Sequence, residues 1–446
     1  MKINLQKQFK RRFKQVALCG LLGLGSFSAF AQQSTNLGSV KALKDLLANN
    51  AKTATARQQS ANNLKFSTEQ GNLEAQILNV ISKKGSESYA GKILNHGWAD
   101  FQVEFVNGKA KGFVILFDEK KAYEFTTNDA GNVELKEKSF EKTISIDHFN
   151  YPAVSNAFIA HSSAGTPGTT GTGEQIPLLQ SNTGASTVVY LDFDGETVTN
   201  PYWSNGETIN AAKSESSASD IQTIFQIVAE DFAPFNLNVT TNRAIYDATP
   251  AGRRQLVIFT TTNSVAPGVG GVAYIGSFAF TQDLPCWVFN NNAPAKDYAE
   301  IASHEIGHTF GLRHDGRDFP DGTHEEYYAG HANWRPILGV GYEKTVSQFS
   351  KGEYQYASNT EDDLNIIAST SNAFGFKIDD HANTTTSATV LSIVNNSFTK
   401  DGLISTPTDK DYFKFTSTGA NATINIRGKY SSFSNLNVFA QILNAN

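Results

Sequence analysis

The sequence predicts an α/β domain flanked by a β-rich N-terminal region and a C-terminal β-sandwich. Three observations lead to this fold class. Between residues 188 and 310, short apolar runs typical of buried strands alternate with segments of helical spacing. Strand-like runs separated by turn signals come before this stretch, and short strands joined by polar turns follow it. Because hydrophobic residues make up 40% of the 446, the chain can bury sizeable cores.

The α/β domain is expected to span residues 188–375. Its predicted strands are residues 188–193, 256–260, 271–276 and 286–289. A first helix is indicated by apolar residues at helical spacing, namely Ile221, Ile224, Phe225, Val228 and Phe232. Ser219 is its expected N-cap. A second helix is predicted from about Asp297 to Phe310.

Two regions of different composition precede this domain. Residues 32–154 are expected to form the β-rich region, with a short helix and two strands at residues 43–47, 101–105 and 112–117. Residues 155–187 are rich in Ser, Gly and Thr. Since such a composition cannot bury enough apolar surface to order itself, we expect a linker that is exposed to proteolysis.

Residues 1–31 have the organisation of a cleaved signal peptide. A basic segment precedes a short apolar stretch, residues 16–30, and Ala29-Phe30-Ala31 matches an A-x-A cleavage site. The alternative is a transmembrane anchor, but this stretch is shorter than the roughly 20 apolar residues that a span needs. We therefore expect a secreted protein that begins at Gln32 and keeps no stable membrane insertion.

Charge and cysteine content disfavour a nucleic-acid-binding protein and a protein stabilised by internal disulfides. Signal cleavage removes six positive charges and lowers the formal net charge from −6 to about −12, which disfavours a nucleic-acid-binding function. Cys19 leaves with the signal, and Cys286 alone cannot form an internal disulfide. Stability is therefore expected to come from core size, with bound cations as a second source.

The residues that carry chemistry are concentrated in the run from His304 to Gly316. His304 and His308 are four residues apart on the second predicted helix, so both imidazoles lie on one face and can reach one metal ion. Gly311 is suited to end that helix, which allows His314 to supply a third ligand from outside it. Three protein ligands with a fourth position open to water are typical of a catalytic zinc site. Glu305 is then the expected general base.

This run, HEIGHTFGLRHDG, resembles the active-site motif of the metzincin metalloendopeptidases, and Asp315 resembles the adamalysin (reprolysin) branch. The resemblance implies an α+β catalytic domain with a twisted mixed sheet and an active-site helix. It implies Zn²⁺ held by the three histidines, Glu305 as the catalytic residue, and protein or peptide substrates. It also implies a structural role for Asp315, near the turn beneath the metal. Residues 271–276 are similar to the family's edge strand, which pairs with extended substrate.

One feature departs from the family pattern. Metzincins have a methionine in the turn beneath the zinc, whereas Met1 is the only methionine of this chain. Residues 333–342 resemble that turn, with Leu338 at the methionine position. Such an apolar exchange of similar volume often costs less than about 1.5 kcal/mol in a core. Tyr342, just after the turn, either stabilises an oxyanion or packs.

Other residues beyond the motif allow two interpretations each. His324 and His331 are expected at the surface or next to the ligands, because three ligands are already present. Residues 359–367 are expected to open the closing helix of the catalytic domain, with Thr360 and the following acids at its N-terminus. The alternative for this acidic run is a Ca²⁺ site.

The flanking regions extend the resemblance. Residues 379–384 and 409–415, within the predicted domain 376–446, resemble bacterial pre-peptidase C-terminal domains, which are small β-sandwiches attached to secreted proteases. This resemblance implies export through the periplasm of a Gram-negative bacterium. By the same logic residues 32–154 look like the propeptide of a zymogen. No cysteine is present there to ligate zinc, so latency requires a carboxylate, a histidine or simple occlusion.

Three functions remain open at this point. The first is a secreted zinc endopeptidase, and the intact set of His304, His308, His314 and Glu305 favours it. The second is a catalytically impaired binding protein on a protease fold, which Leu338 and the C-terminal β domain would support. The third is a zinc hydrolase acting on something other than peptides, which the edge-strand signature disfavours. Substrate preference depends on loop geometry that the spacing of residues does not encode.

Overall fold

The structure is a computed structural model. It describes residues 34–55, 64–68, 70–83, 86–96, 99–116, 119–140, 143–147, 169–200, 202–279, 283–290, 293–416, 423–430 and 433–443. The expected signal peptide and residues 155–168 of the expected linker lie outside these ranges. Among the described residues, no helix has both the length and the apolar character required to cross a bilayer.

The N-terminal region is an antiparallel sheet of eight strands with one helix packed on it. Its strands are β1 Ser34–Ser39, β2 Leu64–Thr68, β3 Gly71–Lys83, β4 Ser86–Ile93, β5 Ala99–Val106, β6 Lys109–Leu116, β7 Lys121–Thr127 and β8 Asn132–Ser139. Their spatial order is β1-β8-β7-β6-β5-β4-β3-β2. Helix α1, Val40–Thr55, buries Leu43 and Leu47 against this sheet. The β-rich character and the helix were both predicted, although the helix is longer than the leucines indicated.

A second, six-stranded sheet forms the centre of the α/β part. Its strands are β9 Ile144–Asp147, β10 Val188–Asp192, β13 Asn238–Thr240, β14 Arg254–Thr260, β15 Gly271–Tyr274 and β16 Cys286–Phe289. Between β10 and β13 lie β11, Thr197–Val198, and β12, Ile209–Asn210, which pair with each other. The sheet order is β13-β10-β14-β16-β15-β9. The first four strands are parallel, and β15 and β9 are antiparallel to their neighbours. The mixed sheet agrees with the predicted α/β class.

Helices pack on one face of this sheet and enclose the main core. They are α2 Ala218–Asp231 and α4 Ala295–Thr309. The short α3, Arg243–Ala248, follows β13 and packs Tyr246 into a second core on the opposite face. The N-cap of α2 is Ser217 and the prediction of Ser219 is wrong. Ser217 accepts a hydrogen bond from the Asp220 N–H, and the Asp220 carboxylate accepts one from the Ser217 N–H. This reciprocal capping box satisfies two helix-end donors, and Ser219 cannot form it.

The second half of the expected linker packs against the α/β part. Ile176 is buried in its core, and Gln180 forms a β-bridge with Thr240 of β13. The hydroxyl of Thr241 also donates to the carbonyl of Pro177. Residues 169–187 are therefore ordered, contrary to the expectation from composition, because their backbone groups find partners on an existing sheet edge.

The remaining elements are short. After α4 come β17 Arg317–Asp318, β18 His324–Glu325, β19 Trp334–Pro336, β20 Val346–Gln348, α5 Asp363–Ile367, β21 Thr389–Val390 and β22 Phe413–Lys414. Helix α5 is the predicted closing helix, and its N-cap is Asp362, one of the acids predicted at its N-terminus. Within the described part of residues 376–446, the strands are β21 and β22, which form one parallel pair. The C-terminal sandwich therefore stays a prediction.

Asp231, at the end of α2, connects three parts of the α/β unit. Its carboxyl accepts a hydrogen bond from the Ser303 hydroxyl of α4 at 2.6 Å and one from the Asn435 amide at 2.7 Å. Asn435 also accepts from the Ser347 N–H in β20. Burial raises the pKa of Asp231 to about 7, since the charged carboxylate is poorly solvated there. Asn435, in the last described segment of the chain, therefore lies behind the helix that carries the histidines.

This raised pKa predicts a defined pH dependence of stability. The unfolded chain loses the Asp231 proton near its ordinary pKa of 3.8, whereas the folded chain holds it to about pH 7. The contribution of Asp231 to the free energy of unfolding therefore falls as pH rises between these values. We expect the melting temperature of Asp231→Asn, minus that of the unchanged protein, to increase from pH 4 to pH 7. A difference that is constant over this range would contradict the assignment.

Candidate metal centre

Helix α4 and the chain just after it bring three histidines together. His304 and His308 lie one helical turn apart, and their ring centroids are 4.6 Å apart. The helix ends at Thr309, and Gly311 follows with φ +109°, a conformation that favours glycine. The chain then returns, so that the His314 ring lies 5.3 Å from that of His304 and 4.9 Å from that of His308. The predicted helix end and the predicted third position both agree with this geometry.

Each imidazole is oriented by a hydrogen bond at its Nδ1 atom. His304 Nδ1 lies 2.9 Å from the Ile337 carbonyl oxygen, and His308 Nδ1 lies 2.8 Å from that of Leu312. Because a carbonyl only accepts, Nδ1 must carry the proton and Nε2 the lone pair. One ring nitrogen from each of the three histidines lies within 4.8 Å of the other two. This buried, preoriented group of imidazoles fits a zinc site.

The third histidine is oriented by a carboxylate that the sequence did not single out. His314 Nδ1 lies 2.7 Å from Glu326 Oε1, and this hydrogen bond holds the pKa of Glu326 down at about 2. Glu326 Oε2 in turn contacts His324, which also bonds Asp318. His324 therefore lies beside Glu326, the hydrogen-bond partner of His314. This agrees with the interpretation that placed His324 close to the ligands. A carboxylate bonded to a ligating histidine fixes the ring and raises its basicity.

A tyrosine lies over the histidines, but it is not the predicted one. The Tyr327 ring is 4.4 Å from that of His314 and 6.3 Å from that of His304. Tyr342 packs instead against the guanidinium of Arg335, 5.2 Å from its ring centroid, which supports its packing role. His331 contacts the hydroxyl of Tyr328 at 3.0 Å. The position of Tyr327 depends on the fold of the loop after His314, which has no sequence signature.

Leu338 occupies the position beneath the active-site helix. It is fully buried, and a Cβ atom added at Gly307 would lie 3.3 Å from one of its methyl groups. Its carbonyl accepts a hydrogen bond from the Asp315 N–H at 2.9 Å. Asp315 is itself buried and bonds the Tyr354 hydroxyl. The turn and Asp315 therefore make the contact that the family resemblance implied, with leucine in place of methionine.

Glu305 is fully buried and lies against strand β15. A Cβ atom added at Gly271 would lie only 2.2 Å from Glu305 Oε1. The first residue of β15 must therefore be glycine for the carboxylate to keep its position. This close approach places the backbone of the predicted substrate-binding strand directly against the predicted general base.

A buried ion pair supports the segment that orients His304. Arg335 and Glu300 are each at most 3% exposed, and their charged groups lie 2.7 Å apart. The Arg335 guanidinium also donates to the carbonyl of Pro336 at 3.0 Å and approaches that of Ile337 at 3.5 Å. The same Ile337 carbonyl accepts from His304. Arg335 therefore holds the strand end that sets the orientation of the first histidine.

Zinc affinity is expected to depend on this arginine. In Arg335→Met, the carbonyls of the strand end lose the hydrogen bonds from the guanidinium, and we expect the dissociation constant for zinc to rise about tenfold, a typical effect of losing a ligand's support. The variant also removes the guanidinium from the buried Glu300 carboxylate, which keeps Lys296 at 2.6 Å, so its cost should lie below the roughly 3–5 kcal/mol of an unpaired buried charge. Competition with a chromophoric chelator measures the affinity.

The double variant Glu300→Gln/Arg335→Met separates the two effects. It removes the buried charge along with its partner, so most of the lost stability should return, while zinc affinity stays low. Unchanged zinc affinity in both variants would show that Arg335 does not position His304.

Comparison with known proteins bears on this centre. The model of metallo-peptidase family M12 named Reprolysin_5 matches residues 191–350, a range that contains the three histidines, Glu305 and the turn with Leu338. A search of curated proteins returned no match. The family match and the buried group of three histidines together support a metzincin-like, zinc-dependent metallopeptidase.

Proposed function

We propose that the protein is an endopeptidase that hydrolyses peptide bonds of protein substrates, with Glu305 as general base. One observation carries this proposal. The three preoriented imidazoles lie together, and the carboxylate of Glu305, the residue next to the first of them, lies against the first residue of strand β15. These are the ligands, the base and the backbone that peptide hydrolysis at zinc requires.

The catalytic roles follow from the chemistry of the side chains. Zinc, held by His304, His308 and His314, supplies a Lewis acid that polarises a carbonyl and lowers the pKa of a water. Glu305 takes a proton from the attacking water at its carboxylate and delivers it to the leaving amine. The side chain of Glu305 is fully buried and lies directly against Gly271 of β15.

Strand β15 supports a peptide as the substrate. An extended peptide can pair with a sheet edge through its own backbone groups, which binds it without regard to most of its side chains. Here that edge lies against the general base, so a paired peptide would present its backbone carbonyls to the metal centre. A hydrolase for small non-peptide substrates has no need of such an edge, which disfavours that alternative.

The alternative of an impaired, purely binding protein has less support. Leu338 and the C-terminal β domain were the reasons to consider it, but the Leu338 side chain packs beneath α4 and the Leu338 carbonyl accepts a hydrogen bond from the Asp315 N–H. The turn's side chain contributes no metal ligand. Loss of methionine therefore leaves the ligand geometry and Glu305 in place.

We further propose that the protein is exported. The signal-like residues 1–31 and the acidic character of the rest of the chain support this proposal. The Ca²⁺ reading of residues 359–367 stays a prediction. Among the described residues, the groups of three or more potential metal ligands are the histidines and the exposed set of Asp379, Asp380 and Asp411.

Glu305→Gln is the variant that tests the proposal. The amide keeps the shape of the side chain but cannot accept a proton, so zinc stoichiometry should stay at one while casein hydrolysis falls by at least about 10²-fold. The assay uses full-length protein and protein cut once within residues 155–168. It therefore distinguishes absent chemistry from inhibition by the N-terminal region.

Glu353→Gln provides the matched control, since this carboxylate is exposed and pairs only with Lys351 among the described residues. Its hydrolysis should equal that of the unchanged protein. Retained hydrolysis by Glu305→Gln, or hydrolysis that survives removal of zinc by a chelator, would rule out the proposed mechanism.

A further inference from the structure

The edge strand of the α/β sheet is already paired with a segment of the same chain. Strand β9, Ile144–Asp147, comes from the end of the N-terminal region and lies antiparallel to β15. The register places Ile144 opposite Tyr274 and Asp147 opposite Gly271. Strand β9 is thus the outermost strand of a sheet whose other five strands all come from residues 188–289.

Hydrogen-bond alternation shows which side of β15 serves this contact. The Gly270 carbonyl accepts from Phe289, and Val272 lies opposite Trp287, so both residues direct their backbone groups to β16. In an antiparallel ladder the alternate residues face the other way. Gly271 and Ala273 therefore offer their N–H and C=O groups to β9, and these are the groups that an extended peptide would use.

The pairing reaches the general base. Gly271 lies against the Glu305 carboxylate, and Asp147 lies opposite Gly271 in the register. The backbone of β9 therefore runs along the edge up to the residue that contacts Glu305. A substrate peptide and β9 cannot both occupy these backbone positions.

Strand β9 is held in place by the body of the N-terminal region. Just before β9, the Thr143 N–H donates to the Phe140 carbonyl at 2.9 Å. Phe140 and Ile144 are buried in one cluster with Tyr274 of β15. The ring of Phe113, in β6, stacks on that of Tyr274 with centroids 6.5 Å apart. The N-terminal region thus covers one end of β15 and positions β9 along the rest of that strand.

We propose that residues 144–147 are a built-in competitor of substrate, which keeps the chain inactive by occupying the edge of β15. This inference rests on the proposed peptidase function. Cutting the chain between β9 and β10 converts the competitor from a tethered segment into a separate fragment. The effective concentration of a tethered segment is high, and a separate fragment loses it on dilution. Activity therefore appears after cleavage in the segment that joins the two regions.

A reversible lock on β9 tests this inference. Ile146 and Val272 form a non-hydrogen-bonded pair in the register, a geometry whose Cα separation of about 4.5 Å accommodates a disulfide. The full chain carries Ile146→Cys and Val272→Cys, with residues 160–166 replaced by the recognition sequence of a site-specific protease. Labelled casein is the substrate, and the zinc-loaded protein is assayed before and after cutting and dilution.

Without the lock, we expect cutting and dilution to raise the rate of hydrolysis at least tenfold. With the disulfide formed, the cut protein should stay at the low rate, and a phosphine reductant should restore the high one. Each single-cysteine variant is the control and should respond to cutting but not to oxidation. Equal rates before and after cutting, or an oxidised protein as active as the reduced one, would overturn the inference while leaving the peptidase function intact.

Two proline variants test the same inference without a disulfide. By the alternation above, Ser145 directs its N–H to β15 and Ile146 directs its N–H away. Ser145→Pro should therefore raise the activity of the uncut chain at least tenfold, whereas Ile146→Pro should raise it far less. Equal activity of both variants and the unchanged chain would contradict the inference. Absence of hydrolysis in every form with zinc bound would instead contradict the proposed function, and the inference with it.

Discussion

The hydrogen bonds at the Nδ1 atoms of the three histidines are the interactions on which the centre depends. Their acceptors are the carbonyls of Ile337 and Leu312 and the carboxylate of Glu326, none of which lies on α4. The helix alone therefore brings two imidazoles to one face but does not orient them. The chain after the helix must fold back beneath and beside it before the three nitrogens converge. The buried pair of Arg335 and Glu300 secures the part of that chain which reaches His304.

A second constraint comes from the contact between Glu305 and Gly271. The contact is too close for any side chain at residue 271, so strand and helix are fitted to each other at the site of chemistry. Because β15 lies against Glu305, a substrate paired with its edge would lie next to the general base. An exposed edge would also bind other strands, since unpaired strand edges pair with them. Strand β9 covers this edge with the chain's own backbone. The pairing of β9 with β15 therefore protects the edge and also keeps substrate from it.

Local patterns predicted the centre well because its ligands are close in sequence. The spacing of His304, His308 and His314 is set by one helical turn and one glycine, so the sequence alone predicts that the three histidines lie together. Strands β10, β14, β15 and β16 and helices α2 and α4 were also predicted, because the spacing of their apolar residues is a local pattern. Glu326 and Tyr327 were missed, since they reach the histidines only through the path of a loop. The pairing of β9 was also missed, because four residues carry no signal of a partner more than a hundred residues away.

The central claim is that three histidines with these Nδ1 anchors hold a catalytic zinc ion. Anomalous diffraction at the zinc edge, on crystals of the full-length protein, measures this directly. We expect one strong peak about 2.0–2.1 Å from the Nε2 atoms of His304, His308 and His314, with one ligand position left for water. A peak elsewhere, or zinc bound through an Nδ1 atom of these rings, would contradict it.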